Sequence, residues 1–122
     1  MTPSDRPTLG RLGEELARLY YEAEGYAVLA RRWRTREGEL DLVVRRRGDL
    51  AFVEVKTRRG DACGGPAVAV TPRKLRRMRL VARRYLAREG AAGATRFRFD
   101  VAAVSLRADG CGCRLEILPG VS

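Results

Sequence analysis

The sequence predicts an α/β fold, a mixed β-sheet flanked by helices, in the order α-β-β-β-α-β-β. Two stretches, near residues 9–24 and 71–89, carry apolar residues at helical spacing. Five short runs are rich in β-branched and aromatic residues and are bounded by turn residues. The chain has 122 residues, 45% hydrophobic and 33% charged, which suits one globular domain with a modest core. Residues 1–8, with Pro3 and Pro7, read as a loose tail, residues 9–118 as a single domain and residues 119–122 as a second tail.

The first helix starts near Leu9 and stops at Gly25. Leu12, Leu16, Leu19, Tyr20 and Ala23 form its apolar stripe. The opposite side is small: Gly10, Gly13 and Ala17, with Tyr21. At about 100° per residue, Glu14 falls on that small side, and Glu15 joins Arg18 and Glu22 on a solvated stripe. Glu14 thus sits where backbone or ligand could approach closely; the competing reading is a first-turn glutamate favoured by the helix dipole. Residues 26–30 read as a strand. In Arg31-Arg32-Trp33-Arg34, which follows, the tryptophan either meets nucleic acid or covers a core edge.

Residues 38–44 and 50–57 read as two strands joined by a Gly48-Asp49 turn. Glu39, Asp41 and Val43 share a face of the first strand, with Leu40, Leu42 and Val44 on the other. Phe52, Glu54 and Lys56 share a face of the second. This turn pairs Asp41 with Lys56 and Val43 with Glu54. Asp41 and Glu54 become diagonal neighbours with Cβ atoms about 7 Å apart, within reach of one divalent ion. A shift of one residue would separate the two faces. A strand made only for a core would not carry these charges, since an unpaired buried charge costs several kcal/mol.

Residues 57–70 form a Gly-rich stretch without the Gly-Lys-Ser/Thr ending of a phosphate loop, and read as a flexible flap or connector. Thr71 and Pro72 are the N-cap and first residue of the second helix, which Gly90 ends. Leu75, Met78, Ala82 and Tyr85, flanked by Val81 and Leu86, make its apolar stripe. Its polar surface carries Arg73, Lys74, Arg76, Arg77, Arg79, Arg83, Arg84 and Arg88, unopposed until Glu89. Residues 96–104 read as a strand with Phe97, Phe99, Val101 and Ala103 on its apolar face and Arg98 and Asp100 opposite. Residues 108–110 turn the chain into a short last strand over residues 114–118.

The net charge of +10 favours a polyanionic partner, most simply nucleic acid. Lys56 and Lys74 are the only lysines; the remaining 23 of the 25 basic residues are arginine. The chain has no histidine, which removes Ser-His and Cys-His catalysis and a mixed zinc site. Cys63, Cys111 and Cys113 are odd in number, the last two are too close to bridge, and all three read as reduced thiols. No apolar run approaches the roughly 20 residues of a membrane span, and the N-terminus lacks a signal-type apolar region. A cytoplasmic, membrane-free location is therefore expected.

Hydrolytic chemistry must then run on carboxylates, lysine and metal. Hard divalent cations prefer oxygen ligands, so Asp41, Glu54 and the backbone carbonyl of Val55 are the expected ligands of Mg²⁺ or Mn²⁺, with Glu14 as an added ligand. Lys56 would orient the attacking water or stabilise the transition state. Arg73, Lys74, Arg76, Arg77 and Arg84, with Arg34 and Arg58 nearby, would hold the phosphate backbone, which relieves their mutual repulsion. The plainer alternatives are a cross-strand Asp41–Lys56 ion pair and a solvated basic helix. Glu39 reads either as a further acid or as the partner of a nearby arginine.

The segments Gly38-Glu39-Leu40-Asp41-Leu42-Val43, Phe52-Val53-Glu54-Val55-Lys56-Thr57-Arg58 and Val70-Thr71-Pro72-Arg73-Lys74, with Gly13-Glu14 and Arg98-Phe99-Asp100-Val101, resemble the YraN family of small bacterial proteins. That family is similar to the restriction-endonuclease-like, PD-(D/E)xK nuclease superfamily and, within it, to archaeal Holliday junction resolvases. The resemblance implies a restriction-endonuclease-like core, the signature Asp41…Glu54-x-Lys56, and Glu14 as the helix-borne acid. One departure from the family's pattern is Arg32, where asparagine is expected before Trp33. The expected function is a Mg²⁺-dependent endonuclease acting on DNA, with branched or damaged DNA as its substrate class. A homodimer is what cutting two strands would call for. The alternatives are a nucleic-acid-binding module without catalysis and a basic protein bound to ribosomal RNA.

Overall fold

A computed structural model describes residues 6–59, 71–107, 112–118 and 120 of the chain. The elements are α1 (Arg6–Ala23), β1 (Ala27–Thr35), β2 (Gly38–Arg46), β3 (Asp49–Arg59), α2 (Pro72–Glu89), β4 (Arg96–Leu106) and β5 (Cys113–Leu118). Their order is the expected one, and the five strands form one sheet in the order β1-β2-β3-β4-β5. The β3–β4 pair is parallel and the other three pairs are antiparallel, so the sheet is mixed. α2 lies within the β3–β4 connection, as a parallel neighbour requires a crossover. Residues 57–59, expected in the Gly-rich flap, instead extend β3, while residues 60–70 with Cys63, the turn at 108–110 and Cys111 lie outside the described residues.

The sheet separates two cores. On one face Ala17 and Tyr21 of α1 pack with Leu42, Val44, Ala51, Val53 and Ala102. On the other, Val81, Ala82 and Tyr85 of α2 pack with Leu40, Val43, Leu50 and Phe52. α2 follows its sequence pattern: Thr71 accepts the Lys74 N–H as N-cap, Pro72 opens the helix, and Met78, Val81, Ala82 and Tyr85 are buried. Trp33 covers a core edge, its ring edge-on to Tyr85 at 5.2 Å between centroids.

α1 overturns its expectation. It starts at Arg6, inside the stretch read as a tail, and it buries the side opposite its leucines. Leu12 and Leu19 are 44% and 50% exposed, whereas Ala17 and Tyr21 are buried. The reason is a close approach. A Cβ placed on Gly13 would stand 1.8 Å from Thr57 Oγ1, so only glycine lets this helix lie directly on β3. The small residues decide which face is buried, and the leucines are left outside.

The hairpin also differs in register. Its turn residues are Arg47 and Gly48, with Arg47 at φ +56°, and the partners run from Arg46↔Asp49 to Leu42↔Val53. The expected Asp41–Lys56 and Val43–Glu54 pairings are replaced: Val43 faces Phe52, and the same register carried on sets Asp41 level with Glu54. Gly48 is held from outside the hairpin, its carbonyl accepting the N–H groups of Thr95 and Arg96, while Asp49 already belongs to β3 and pairs with Arg96. The slip is two residues along the partner strand, so the faces keep their parity.

Strict alternation fails in β2. Leu40 packs on the α2 side with Val43, while Leu42 and Val44 pack on the α1 side. The break lies at Asp41. On the neighbouring strand, Arg31↔Leu42 and Trp33↔Leu40 bracket Arg32, whose φ is +50°. Asparagine tolerates that conformation better than arginine does, which explains the residue expected there.

β1 runs to Thr35, beyond the expected residues 26–30, and β5 starts at Cys113. In β4 the supposed polar face is buried: Asp100 is fully inaccessible, and Phe97 at the strand start is 48% exposed. Val101 and Ala103 on the apolar face are buried too, and the burial of Asp100 follows from what α1 offers. Tyr21 donates its hydroxyl to Asp100 Oδ2 at 2.8 Å, and Arg98 Nε donates to Oδ1 at 2.9 Å.

Candidate functional site

Leu42↔Val53 is the last β2–β3 pair. Just beyond it, Asp41 Oδ2 accepts the Val55 N–H at 2.7 Å, so a side chain takes over where the backbone ladder ends. The contact made by Val55 here is through this N–H. Gly13 seats α1 on β3 one residue before Glu14, which brings Glu14 to the same place. Burial, and then the carboxylates of Glu14, Glu39 and Glu54, push the Asp41 carboxyl up to about 7, against the opposing pull of the Val55 N–H.

The other acids are partnered. Glu14 Oε1 accepts from Arg32 Nε at 2.7 Å, and Glu39 Oε1 from Arg34 Nε at 3.2 Å. Glu39 is thus the partner of a nearby arginine as well as a neighbour of Asp41. Glu54 Oε1 lies 3.6 Å from Lys56 Nζ and 3.2 Å from Lys74 Nζ, while its Oε2 is buried with no hydrogen-bond partner among the described residues. Burial, reinforced by the neighbouring Lys56, lowers the pKa of Lys74. Beside Asp41 a cavity of about 300 Å³ opens between α1 and β1, lined by Arg11, Glu14, Glu15, Arg31 and Arg32.

Glu14, Asp41, Glu54, Val55 and Lys56 therefore gather at one end of the hairpin. The basic set divides. Lys74 joins the cluster, Arg77 packs its side chain against Gly38, Arg84 lies 3.6 Å from Glu37, and Arg34 holds Glu39. Arg73 and Arg76 are exposed on α2, and Arg58 is half-buried in β3. Sequence reasoning did not find Arg32 at Glu14 or Lys74 at Glu54. The scarcity of lysine was the one signal for the second.

Among the described residues, no three His, Cys, Asp or Glu side chains are grouped to hold an ion by themselves. Mg²⁺ does not demand that: it is commonly bound through one or two carboxylates, keeping several waters and taking up substrate oxygens. The unpartnered buried oxygen of Glu54 and the crowding around Asp41 fit such an ion.

The fold and this cluster define an α/β protein with an acidic, lysine-flanked site where two strands part. The chain belongs to the uncharacterised protein family UPF0102, whose model matches residues 13–104, a span that contains the whole cluster. It is 46% identical over 112 residues to a UPF0102 protein of Acidothermus cellulolyticus, covering 84% of this chain and 85% of the relative. Against a UPF0102 protein of Frankia alni the identity is 51% over 100 residues, 82% of each chain. A UPF0102 protein of Beutenbergia cavernae is 48% identical over 116 residues, 95% of this chain and 97% of the relative. No helix among the described residues is long and apolar enough to cross a membrane.

Proposed function

We propose that the chain is an endonuclease that hydrolyses phosphodiester bonds in DNA with the help of Mg²⁺ or Mn²⁺. The observation that carries this reading is the state of Asp41: a carboxyl pushed up to about 7 by burial and by Glu14, Glu39 and Glu54. Such a crowd of acids lowers its energy by taking up a cation. Two further supports are the eight basic residues of α2 and the likeness of the hairpin to the PD-(D/E)xK pattern.

Asp41 and Glu54 would hold the ion, with the Val55 carbonyl as a third ligand and Glu14 as an outer acid. Held there, such an ion would supply Lewis acidity and a water of lowered pKa. Lys56 would orient the attacking water or steady charge on the phosphoryl oxygens. The exposed α2 arginines bind the flanking phosphates and set the strand's path. Branched or damaged DNA is the substrate class that the likeness suggests. A second reading, nucleic-acid binding without catalysis, is favoured by the ion pairs Glu14–Arg32 and Glu54–Lys74, which neutralise acids without metal.

The test incubates linear, nicked and four-way-junction DNA with the protein in Mg²⁺, Mn²⁺ or EDTA, beside Asp41→Asn and Lys56→Ala. Metal-dependent cleavage that both variants lose is the expected result. Tight, salt-sensitive binding with no cleavage under any condition would replace it with the second reading.

A further inference from the structure

Glu54 stands between the only two lysines of the chain. Lys74 Nζ, at 3.2 Å, is nearer to Glu54 Oε1 than Lys56 Nζ, at 3.6 Å. Lys56 reaches that oxygen from two residues along the same strand. Lys74 reaches it from the first turn of α2, where the Thr71 hydroxyl fixes its backbone N–H at 3.1 Å. Its neighbours on the helix behave differently: Arg73 and Arg76 are exposed, while Lys74 is half-buried and turned inward. A residue placed only to grip a phosphate backbone would point outward with them. One carboxylate oxygen thus carries two ammonium groups, while the other is buried without a hydrogen-bond partner among the described residues.

We propose that Lys74 is a built-in counter-cation for Glu54, which competes with a divalent ion for that carboxylate and turns to the substrate phosphate once the ion is bound. This inference rests on the proposed metal-dependent reading of the site. A divalent charge at Glu54 both removes the attraction that holds the ammonium there and repels it. The side chain has the means to move: its stem is long and flexible, and its ammonium is a compact point charge suited to a phosphate oxygen. Lys74 would act as a placeholder that keeps Glu54 neutralised and formed while the metal is away.

The experiment titrates Mn²⁺ into the full chain, into Lys74→Met and into Lys74→Arg by calorimetry and electron paramagnetic resonance, then measures single-turnover DNA cleavage at saturating Mn²⁺. Methionine keeps the stem and removes the charge. Lys74→Met is expected to bind Mn²⁺ about fivefold more tightly, the scale of one partly exposed ion pair. Its cleavage is expected to fall roughly tenfold in spite of the tighter metal. Lys74→Arg, which keeps a cation in place, is expected to bind Mn²⁺ as the unaltered chain does. Equal or weaker Mn²⁺ binding by Lys74→Met overturns the inference, as does unchanged cleavage, and in both cases the metal-dependent reading stands. No Mn²⁺ uptake by any of the three proteins overturns that reading and the inference with it.

Discussion

Asp41 and Asp100 lie on β2 and β4, with β3 between them, and their surroundings are opposite. Asp100 is fully buried and answered on both oxygens. Oδ1 accepts from Arg98 Nε at 2.9 Å and from the Gly120 N–H at 3.2 Å; Oδ2 accepts from the Tyr21 hydroxyl at 2.8 Å and from the Arg98 guanidinium at 3.2 Å. The same guanidinium donates to the Tyr26 hydroxyl at 2.6 Å. Asp41 receives one N–H and faces three other acids. A buried acid with every lone pair engaged holds a fold together. A half-buried acid crowded by its own kind is the pattern that functional sites show. Asp100 is the more deeply buried of the two, and the identity of the neighbours separates them further.

The contrast is broken most directly at Asp41. Asp41→Asn is expected to lower metal-dependent DNA cleavage by roughly 10²–10⁴-fold while the far-ultraviolet circular dichroism stays that of the unaltered chain. Retained cleavage would make Asp41 a second structural acid. Asp100→Asn is expected to act on folding instead. It leaves the Arg98 guanidinium without its counter-charge and costs about 3–5 kcal/mol in urea unfolding. A loss well under 1 kcal/mol would mean that the four donors add little. Gly13→Ala tests the helix that serves both sites, since α1 carries Glu14 to one and Tyr21 to the other. Its new methyl group collides with Thr57, and unfolding is expected to become easier by about 1–3 kcal/mol.

The smallest effect is one of pH. In the folded chain the Asp41 carboxyl titrates near 7, above its ordinary 3.8, so the folded state binds that proton more tightly than the unfolded state. Stability from the neutral carboxyl is therefore full below about pH 4 and is lost as pH rises through 7. Asp41→Asn removes that loss. Its melting temperature, taken relative to the unaltered chain, is expected to rise by a few degrees between roughly pH 5 and pH 8. A difference that stays constant across this range would show that Asp41 ionises as an ordinary aspartate.

The parts of the molecule legible in the sequence are those decided by neighbours close along the chain. Thr71-Pro72 and Gly90 bracket α2 because caps act within one turn, and the element order follows from local periodicity. That Phe52, Glu54 and Lys56 share a face was legible for the same reason, since side chains alternate along a regular strand, whereas the break in alternation at Asp41 was not. The register itself was not, because Gly48 is held by Thr95 and Arg96, which lie far along the chain, beyond β3 and α2. The buried face of α1 was misread because leucines are a weaker determinant than the contact of Gly13 with Thr57 on a distant strand. Asp100 was placed opposite the apolar face of its strand, and its burial was not legible because Tyr21, its partner, is 79 residues earlier. Lys74 drew notice by its rarity, but its partner Glu54 became visible only once α2 was laid against the sheet.

The Asp100 cluster also bears on the order in which a newly made chain can take shape. Tyr21 is synthesised long before its acceptor, and Gly120 long after Tyr21, yet both converge on one carboxylate. The hairpin of β2 and β3 can close from local contacts as soon as it has left the ribosome. α1 has to wait, since the polar half of its seat does not exist until β4 has emerged and crossed to lie beside β3. The face of α1 that carries Ala17 and Tyr21, with the unmet Tyr21 hydroxyl, is therefore open to solvent and to chaperones until β4 arrives.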